Sequence, residues 1–413
     1  RAPSGSGPGG GVESDMGRGL GSVRGRGCSG PSFSHLSWSM STNLRSRAWV
    51  EIRAAAVREN LRRIRDAAGE QAALIPMVKA DAYGLGVEDM VRCARPLDPW
   101  GFGVATVGEG QELRALGVEE PVVVFSPAAP GEEEAAVAAG LTLSISTVDG
   151  LERLKAATSA AGVPVRFHLE VDTGMGRAGL PWDRMETWLP QVERLAAGGM
   201  EWEGCFTHFH SADLASGGAT EEQWRRFRAV LEKLRPGQGR RMIHACNSPG
   251  ALRRAGYGAD AVRSGIFAYG GVAGEGLPDP TPAVAVRARV LIAREVPAGA
   301  TVGYGATHAA AGPARWATLG IGYGDGLPRL LSNRGRVLLG GRSCPIVGRI
   351  SMDVTVVDIS DLSEVRAGDV ATIIGADGDQ CIRVEEVAGL ASTINYEVLT
   401  GLGGRLPRIW DHD

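Results

Sequence analysis

The sequence predicts an α/β fold, a (β/α)₈ TIM-like barrel followed by a mainly β C-terminal domain. Three observations predict it. The 413 residues exceed what one hydrophobic core usually supports. From residue 50 onward, helical periodicity alternates with short β-rich runs, which is typical of parallel β/α units. After about residue 280 the pattern changes to short strands and glycine-rich turns. We therefore divide the chain into a tail (1–46), a barrel (47–280) and a β-rich domain (281–413).

Eight β-rich runs give the predicted strands of the barrel, and helix-like stretches separate them. Three separators with apolar residues at helical spacing are LERLKAATSAAG, WDRMETWLPQVERLAAG and EEQWRRFRAVLEKLR. A doubly wound open sheet is the alternative, but its first strand should lead into a GxGxxG turn, and VKADAYGLG has none. The barrel is therefore favoured. The predicted strands are 74–79, 102–105, 121–125, 141–146, 165–171, 204–209, 242–247 and 261–267.

The tail, residues 1–46, is rich in Gly, Ser and Arg and has too little apolar surface to offset the entropy of ordering, so we expect it to be disordered. Met40, just before the first amphipathic segment, is a candidate natural start. An organellar leader is a weaker alternative, because Glu13 and Asp15 interrupt the basic pattern.

Charge and composition exclude several classes of partner. The 44 Lys and Arg nearly balance the 47 Asp and Glu, so no field gathers nucleic acid or anionic lipid. We find no apolar run of membrane-spanning length. The six cysteines lack CxxC spacing, which favours a reducing compartment. We expect a cytoplasmic enzyme with a small substrate.

Lysine occurs only at positions 79, 155 and 233, so lysine-dependent chemistry has three candidates. Lys79 ends the first barrel strand, where catalytic groups of such barrels cluster. A lysine closing an apolar strand is costly to bury without a purpose. Lys155 and Lys233 lie on charged helix faces, where a solvated lysine is the ordinary outcome. Lys79 is therefore the candidate catalytic residue.

The loops after strands seven and eight commonly form a phosphate site in this fold. Ser248 before Pro249 is typical of a serine N-cap, whose helix would offer N–H donors to an anion. The amides of Gly265 and Ile266 follow the eighth strand. A lysine facing such a cradle suits a phosphate-bearing cofactor that binds lysine covalently. Taken alone, the pattern fits a merely well-capped helix equally well.

Nine segments resemble, in the same order, the signature segments of the alanine racemase family, and the resemblance covers roughly residues 47–410. It implies pyridoxal 5′-phosphate as cofactor, racemisation of alanine for cell-wall peptidoglycan, and a head-to-tail homodimer in which the partner's β-domain completes each active site. The segments are VKADAYGLG, DTGMGRAG, THFHSAD, NSPGAL, RSGIFAYGG, VGYGATH, GYGDG, VGRISMDV and NYEVL.

The resemblance assigns two bases. Lys79 would bind the cofactor covalently. Once the substrate amine has displaced Lys79 from the cofactor, the freed lysine would act as a base on the face of Cα that handles the D-enantiomer. Tyr304 of the other subunit would act as the base on the opposite face. Racemisation needs two such bases, because one removes a proton and the other returns one. Tyrosine is a weak base at its ordinary pKa near 10, so a neighbour must favour its deprotonation. His208 resembles the family histidine that contacts this tyrosine.

Further roles follow from the resemblance. Arg263 would face the pyridine nitrogen, keep it unprotonated and suppress transamination. Arg177 would contact the phenolic oxygen and the substrate carboxylate. Glu170 stands where the family often has a carbamylated lysine that holds this arginine, and its own carboxylate could replace that group. The remaining candidates are Tyr83, Tyr396, Ser248, Gly265 and Ile266 for the phosphate, Met352 for the substrate carboxylate, Tyr323, Arg349 and Asp353 for the entry channel, and His244 as support.

Several alternatives remain at this point. His208 and His210 share one face of a strand, which by itself permits a metal site, but no further ligands recur at supporting spacing, so we expect none. A racemase of another small amino acid, such as serine, would keep the same bases. An amino-acid decarboxylase of the same fold is a second alternative, but it would not need Tyr304 as a second base. A non-catalytic pyridoxal-phosphate carrier is a third alternative, but it would be a lone barrel without the β-rich region.

Overall fold

The computed structural model describes residues 46–69, 71–197, 199–234, 242–257 and 259–412. The expected tail, including the possible start at Met40, lies outside the described residues apart from residue 46. In the described part of the chain, no helix is long and apolar enough to cross a membrane.

The first strand, β1 (Ala48–Arg53), precedes the barrel and does not belong to its wall. Eight further strands form the wall, and each overlaps one of the runs that the sequence predicts. They are β2 (Ala73–Pro76), β3 (Phe102–Val104), β4 (Val122–Val124), β5 (Thr142–Ile145), β6 (Val165–Asp172), β8 (Met200–Phe206), β9 (Met242–His244) and β10 (Ala261–Ser264); the two-residue strand β7 (Leu180–Pro181) pairs only with β6.

The wall closes on itself. Strands β3 to β6, β8 and β9 pair in parallel as one sheet. At one edge a parallel bridge between Met77 and Gly103 joins β2 to β3, and β2 pairs in parallel with β10. At the other edge the Arg263 N–H donates to the Cys246 carbonyl oxygen at 3.0 Å and joins β10 to the end of β9. The barrel prediction is confirmed, and the open-sheet alternative is wrong.

The helices surround the barrel or lie in the second domain, and the three helical separators are confirmed as α6, α7 and α8. They are α1 (Ala54–Ala68), α2 (Lys79–Gly84), α3 (Val87–Ala94), α4 (Val107–Ala115), α5 (Glu133–Ala138), α6 (Val148–Ala161), α7 (Met185–Ala196), α8 (Gly218–Lys233), α9 (Ser248–Arg253), α10 (Val384–Leu390) and α11 (Asn395–Thr400). Of these, α2 is a left-handed turn.

The second domain is built on a nine-stranded sheet, as its short strands and glycine-rich turns predict. Strand β1 pairs antiparallel with β11 and parallel with β20, so residues 48–53 belong to this sheet. The division at residue 280 stays a prediction. The remaining strands are β11 (Val284–Val296), β12 (Thr301–Val302), β13 (His308–Ala309), β14 (Ala314–Leu319), β15 (Arg336–Leu339), β16 (Arg342–Pro345), β17 (Thr355–Asp358), β18 (Val370–Asp377), β19 (Gln380–Ile382) and β20 (Arg408–Asp411).

One large apolar core runs from the barrel into the β-domain. A second, small cluster contains Val296, Val302, Trp316 and Val347. Val302 of this cluster belongs to β12, which pairs with β13, and the loop between the two strands carries Tyr304. Burial of these side chains fixes the base of that loop, while Tyr304 itself remains 68% exposed.

Candidate active site

Lys79 begins a left-handed turn after β2, with Met77 and Val78 between the strand and the turn. Ala80, Asp81, Ala82 and Tyr83 all have φ between 52° and 59°. For residues with a Cβ this conformation costs roughly 1–2 kcal/mol each, so neighbouring groups must hold it. The Ala80 N–H donates to Glu109 Oε1 at 2.7 Å, and the Asp81 carboxylate accepts from the Val87 N–H at 2.7 Å. These contacts fix the backbone that carries Lys79.

The electrostatic surroundings of Lys79 favour its neutral form. Burial lowers the pKa of the amine below its usual range, and the charges of Arg177 and Arg263 lower it further, while Glu109 opposes them. Lys233 is in contact with Glu186 at 2.9 Å and is 58% exposed, as expected for a lysine on a helix face. A lysine with a lowered pKa can act as nucleophile and as base near neutral pH.

Three tyrosines meet beside the turn. The ring of Tyr83 stacks on that of Tyr269 with centroids 4.7 Å apart, and it lies 6.1 Å from the ring of Tyr396. Burial raises the pKa of Tyr396 to about 12 and raises the pKa of Tyr83 as well. Both hydroxyls therefore stay protonated and can donate hydrogen bonds to an anion.

The main chain at Gly265 approaches Tyr83 very closely. A Cβ at Gly265 would lie 2.5 Å from Tyr83 Oη, so only glycine permits this contact. The Gly265 N–H donates to Ser248 Oγ at 2.9 Å, and Ile266 follows directly in the chain. The expected phosphate candidates after β9 and β10 thus meet at one place.

The expectation that Ser248 caps its helix is wrong. Asn247 is the N-cap, and its side chain accepts from the Gly250 N–H at 3.1 Å. Asparagine caps helices as well as serine does. Ser248 is instead the first helical residue, and its hydroxyl is free to meet Gly265.

Arg263 is the second-last residue of β10, near the mouth of the barrel, and is 3% exposed. Its Nη1 is 2.7 Å from His244 Nδ1. Its Nη2 donates to the carbonyl oxygens of Thr207 at 2.9 Å and Ala245 at 3.0 Å, and it lies 3.3 Å from His208 Nδ1. None of these contacts among the described residues uses the Nε donor. Burial lowers the pKa of Arg263 to about 10, so the guanidinium remains charged at neutral pH.

His208 is held neutral. Burial, followed by the charges of Arg263, Arg177 and Lys79, lowers its pKa to about 3. Burial lowers the pKa of His244 well below its usual value too. His210, two residues further, is exposed and contacts Ser211. No cluster of metal-binding side chains occurs among the residues that the structure describes.

Glu170 is buried and takes Ser146 as its hydrogen-bond partner, with Oε2 2.7 Å from Ser146 Oγ. Burial raises the pKa of the Glu170 carboxyl, and the hydroxyl of Ser146 and the charge of Arg177 act in the opposite direction. The charge of Arg177 therefore acts on Glu170, and the Arg177 side chain is exposed.

A second group of predicted residues lies on the β-domain. A Cβ at Gly305, next to Tyr304, would lie 2.9 Å from Arg349 Nη1, so these residues adjoin. In the described residues, no hydrogen bond, ion pair or ring contact joins Tyr304 or Met352 to the Lys79 turn. Met352 is 53% exposed. The predicted site residues of one chain thus lie in two separate groups.

The entry-channel candidates adjoin this second group. The Gly324 N–H, next to Tyr323, donates to the Met352 carbonyl oxygen at 2.8 Å. Asp353 pairs with Arg405 at 2.8 Å. Tyr323 is 40% exposed. Tyr323, Met352 and Asp353 therefore share one surface of the β-domain.

Sequence reasoning missed four residues of the site: Glu109, His168, Glu203 and Tyr269. Thr106 and Glu109 form a capping box at the start of α4, and this T-x-x-E pattern is visible in the sequence. Tyr269 lies within the RSGIFAYGG segment. The contact between His168 and Glu203 depends on strand pairing, which no local signal reveals.

The arrangement defines the class of site: a barrel that carries at its mouth a lysine with a lowered pKa, a buried arginine, and hydroxyls and main-chain amides that could hold an anion. Comparison with known proteins gives the particular family. Residues 52–273 match the family model "Alanine racemase, N-terminal domain", and residues 283–410 match "Alanine racemase, C-terminal domain". The chain belongs to the alanine racemase family.

Individual relatives agree with this. The alanine racemase of Symbiobacterium thermophilum is 37% identical over 366 residues, which cover 88% of this chain and 96% of the relative. The structure of alanine racemase from D-cycloserine-producing Streptomyces lavendulae has a TM-score of 0.82 at 34% identity and covers 89% and 98% of the two chains. The alanine racemase of Bartonella henselae, with covalently bound pyridoxal phosphate, has a TM-score of 0.81 at 29% identity and covers 89% and 100%.

Proposed function

We propose that the protein interconverts L-alanine and D-alanine with pyridoxal 5′-phosphate, using Lys79 and Tyr304 as opposite bases. The observation that carries the proposal is the fixed turn after β2. It holds a lysine of lowered pKa next to an anion cradle and a buried guanidinium. Membership of the alanine racemase family supports the choice of alanine.

The residues present fit the cofactor. The hydroxyls of Tyr83, Tyr396 and Ser248 and the amides of Gly265 and Ile266 would hold its phosphate, since Gly265 leaves no side chain in the cradle. Lys79 would bind it covalently, and the unused Nε of Arg263 would face its ring nitrogen. When bound, pyridoxal phosphate supplies an electron-withdrawing ring that makes the substrate Cα–H acidic.

The protein's own groups would then move protons. Neutral Lys79 removes a proton from one face of Cα or returns it there, and Tyr304 does the same on the other face. The charge of Arg263 disfavours protonation of the ring nitrogen, which limits side reactions. Arg177 and the Met352 amide would fix the substrate carboxylate. Glu170, held by Ser146, would act on Arg177 through its charge.

A homodimer would complete the site. Tyr304 and Met352 are exposed in one chain, although their chemistry needs a site shielded from water. A symmetric head-to-tail pair would bring the partner's Tyr304 to the barrel mouth and place Tyr323, Arg349 and Asp353 at its entry, with His208 beside the tyrosine. In this arrangement the barrel, together with Tyr396 of the same chain, supplies the cofactor half of a site, and the β-rich domain of the partner supplies the other half.

The activity is tested on purified holoenzyme with a panel of amino acids that includes alanine and serine, by following Cα deuterium exchange and enantiomer interconversion. We expect both processes with alanine. Exchange without inversion would contradict the role of Tyr304 as second base. Activity with serine but not with alanine would show that serine, rather than alanine, is the substrate. Lys79→Ala should lower kcat by at least about 10³-fold and abolish the visible band of bound cofactor. Lys155→Ala, on a helix face, is the matched control.

The shared site is tested by mixing two inactive variants, Lys79→Ala and Tyr304→Phe. In a head-to-tail dimer, half of the randomly formed dimers contain one intact site. Mixing and reassociation should therefore restore about a quarter of the wild-type activity. No restoration, with mixed dimers demonstrated by differential tagging, would place both bases in one chain.

We further propose that the enzyme acts in the cytoplasm, where it supplies D-alanine for peptidoglycan. A bacterial strain that requires added D-alanine should grow without it when it expresses this chain. The Lys79→Ala variant at equal abundance is the control. Continued dependence on D-alanine would contradict the biosynthetic role.

A further inference from the structure

A line of buried hydrogen bonds runs from Arg263 through the barrel interior, away from the mouth. Arg263 Nη1 lies 2.7 Å from His244 Nδ1. His244 Nε2 lies 2.9 Å from His168 Nδ1. His168 Nε2 lies 3.2 Å from Glu203 Oε2. Both imidazoles are completely buried, while the Glu203 side chain is 15% exposed and its other oxygen lies 3.5 Å from Arg166.

The direction of every bond in this line is determined. A guanidinium can only donate, so His244 Nδ1 must accept and the neutral ring must carry its proton on Nε2. His244 Nε2 then donates to His168 Nδ1, which places the His168 proton on Nε2. That proton is donated to the Glu203 carboxylate. Burial lowers the pKa of both histidines, which keeps the rings neutral and the sequence of donors consistent.

Local features of the fold build this line. Strand β8 pairs with β6 as Phe167 with Trp202 and His168 with Gly204, so Glu203 is the extra residue of a β-bulge. Such bulges redirect a side chain, and here Glu203 reaches His168. A Cβ at Gly204 would lie 2.6 Å from the His168 ring, so the glycine provides the space for that imidazole.

The His244 ring is held independently of its hydrogen bonds. It stacks on Phe206 with centroids 4.9 Å apart and an angle of 6° between the planes. Stacking fixes the plane of the ring but not which nitrogen carries the proton. Hydrogen bonds at both ends of the line set the proton position: Arg263 donates at His244 Nδ1, and the Glu203 carboxylate accepts at the far end through His168.

We propose that Glu203 and His168 are positioning residues for the reaction: through the tautomer of His244 they hold the Arg263 guanidinium at the barrel mouth. This proposal rests on the proposed function, because it assumes that Arg263 faces the ring of the bound cofactor. If the Glu203 acceptor is lost, His168 and His244 can turn their protons toward Arg263. Two donors would then meet at Nη1, and the guanidinium would shift.

The first test reads the histidine rings directly. Holoenzyme labelled with ¹⁵N-histidine is examined by NMR, with signals assigned from single His→Asn variants. In the wild type both His168 and His244 should be neutral with the proton on Nε2. Unprotonated Nε2 on His244 would overturn the proposal without any Glu203 variant. Because this measurement does not depend on turnover, a correct tautomer with no racemase activity would reject the proposed function alone.

The second test replaces Glu203 and compares it with Glu201, an exposed residue two positions earlier on β8. Glu203→Leu should weaken the Nε2–H preference at His244 and lower kcat by about tenfold, as loss of supporting hydrogen bonds does elsewhere. The KM for alanine should change less than about twofold, since Arg263 contacts no substrate group. Glu203→Gln keeps an acceptor oxygen and should restore the tautomer and most of kcat.

The contrary outcomes are distinct. Equal ring signals and equal kcat in Glu203→Leu and Glu201→Leu would show that the line has no positioning role. A Glu203→Gln variant with a kcat as low as that of Glu203→Leu would show that the hydrogen bond accepted from His168 does not explain the effect of Glu203 on kcat. If Glu203→Leu does not fold, the wild-type tautomers and the Gln variant still decide the question.

Discussion

Glu109 Oε1 accepts a hydrogen bond of 2.7 Å from the main-chain N–H of Ala80, the residue that follows Lys79. The other oxygen of the same carboxylate accepts from the Ala105 N–H at 2.7 Å at the start of α4. One side chain thus caps a helix and clamps the left-handed turn of the lysine. A strained turn persists only when its surroundings determine it fully, and Glu109 provides part of that constraint.

We expect Glu109→Ala to lower the free energy of unfolding by about 1–2 kcal/mol, the usual cost of losing a helix cap. It should also lower kcat, because the turn that orients Lys79 loses its anchor. Thermal unfolding and steady-state kinetics measure the two effects. Glu112→Ala, exposed on the same helix, is the control. Wild-type behaviour of Glu109→Ala would mean that the turn is held by other contacts.

Gly265→Ala should weaken cofactor binding. The new Cβ would lie 2.5 Å from Tyr83 Oη, so the hydroxyl must leave the cradle. Displacing one hydrogen-bond donor from an anion costs about 1.5–3 kcal/mol, which predicts a rise in the Kd of pyridoxal phosphate of at least about tenfold. Fluorescence titration of cofactor-free protein measures it. Gly312→Ala, where a Cβ meets nothing within 4 Å, should leave the Kd unchanged.

Gly204→Ala should destabilise the barrel by about 1–3 kcal/mol, because overpacking forces the buried His168 ring to move. Denaturant unfolding compares it with Gly218→Ala at the start of α8, where the added methyl group meets nothing within 4 Å. The control should be neutral or slightly stabilised. Equal midpoints for the two variants would contradict the packing that we describe.

Acid should destabilise the protein through histidines whose pKa is lowered in the folded state, among them the half-buried His208. The pKa of His208 is lowered to about 3, whereas the unfolded chain titrates near 6.5, so the folded state binds fewer protons between these values. This part of the stability is present above pH 6.5 and is lost as the pH falls toward 3. One such histidine adds a slope of at most about 1.4 kcal/mol per pH unit.

The measurement is Tm as a function of pH from 7 to 4. His208→Gln should flatten the decline, because the glutamine does not titrate. His210→Gln, at an exposed position, should keep the wild-type slope. An unchanged slope in His208→Gln would mean that other groups govern the acid transition.

The sequence by itself determined the barrel, the second domain and the choice of Lys79. Apolar periodicity and strand-sized runs are local patterns, and with only three lysines in the chain one at a strand end stands out. Family resemblance added the remaining roles, and those residue assignments stay predictions. Local patterns failed at two places, where Asn247 rather than Ser248 caps α9 and where β1 joins the sheet of the second domain.

Only the tertiary structure decided how the site is supported. Glu203 meets His168 because β8 carries a bulge and Gly204 leaves room for the ring, and both depend on pairing with β6. Glu109 meets Ala80 because adjacent β/α units bring the start of α4 beside the Lys79 turn. Such contacts join residues far apart in the chain, and their geometry is set by strand register and close packing. The residues adjacent in sequence to each partner do not specify the geometry of these contacts.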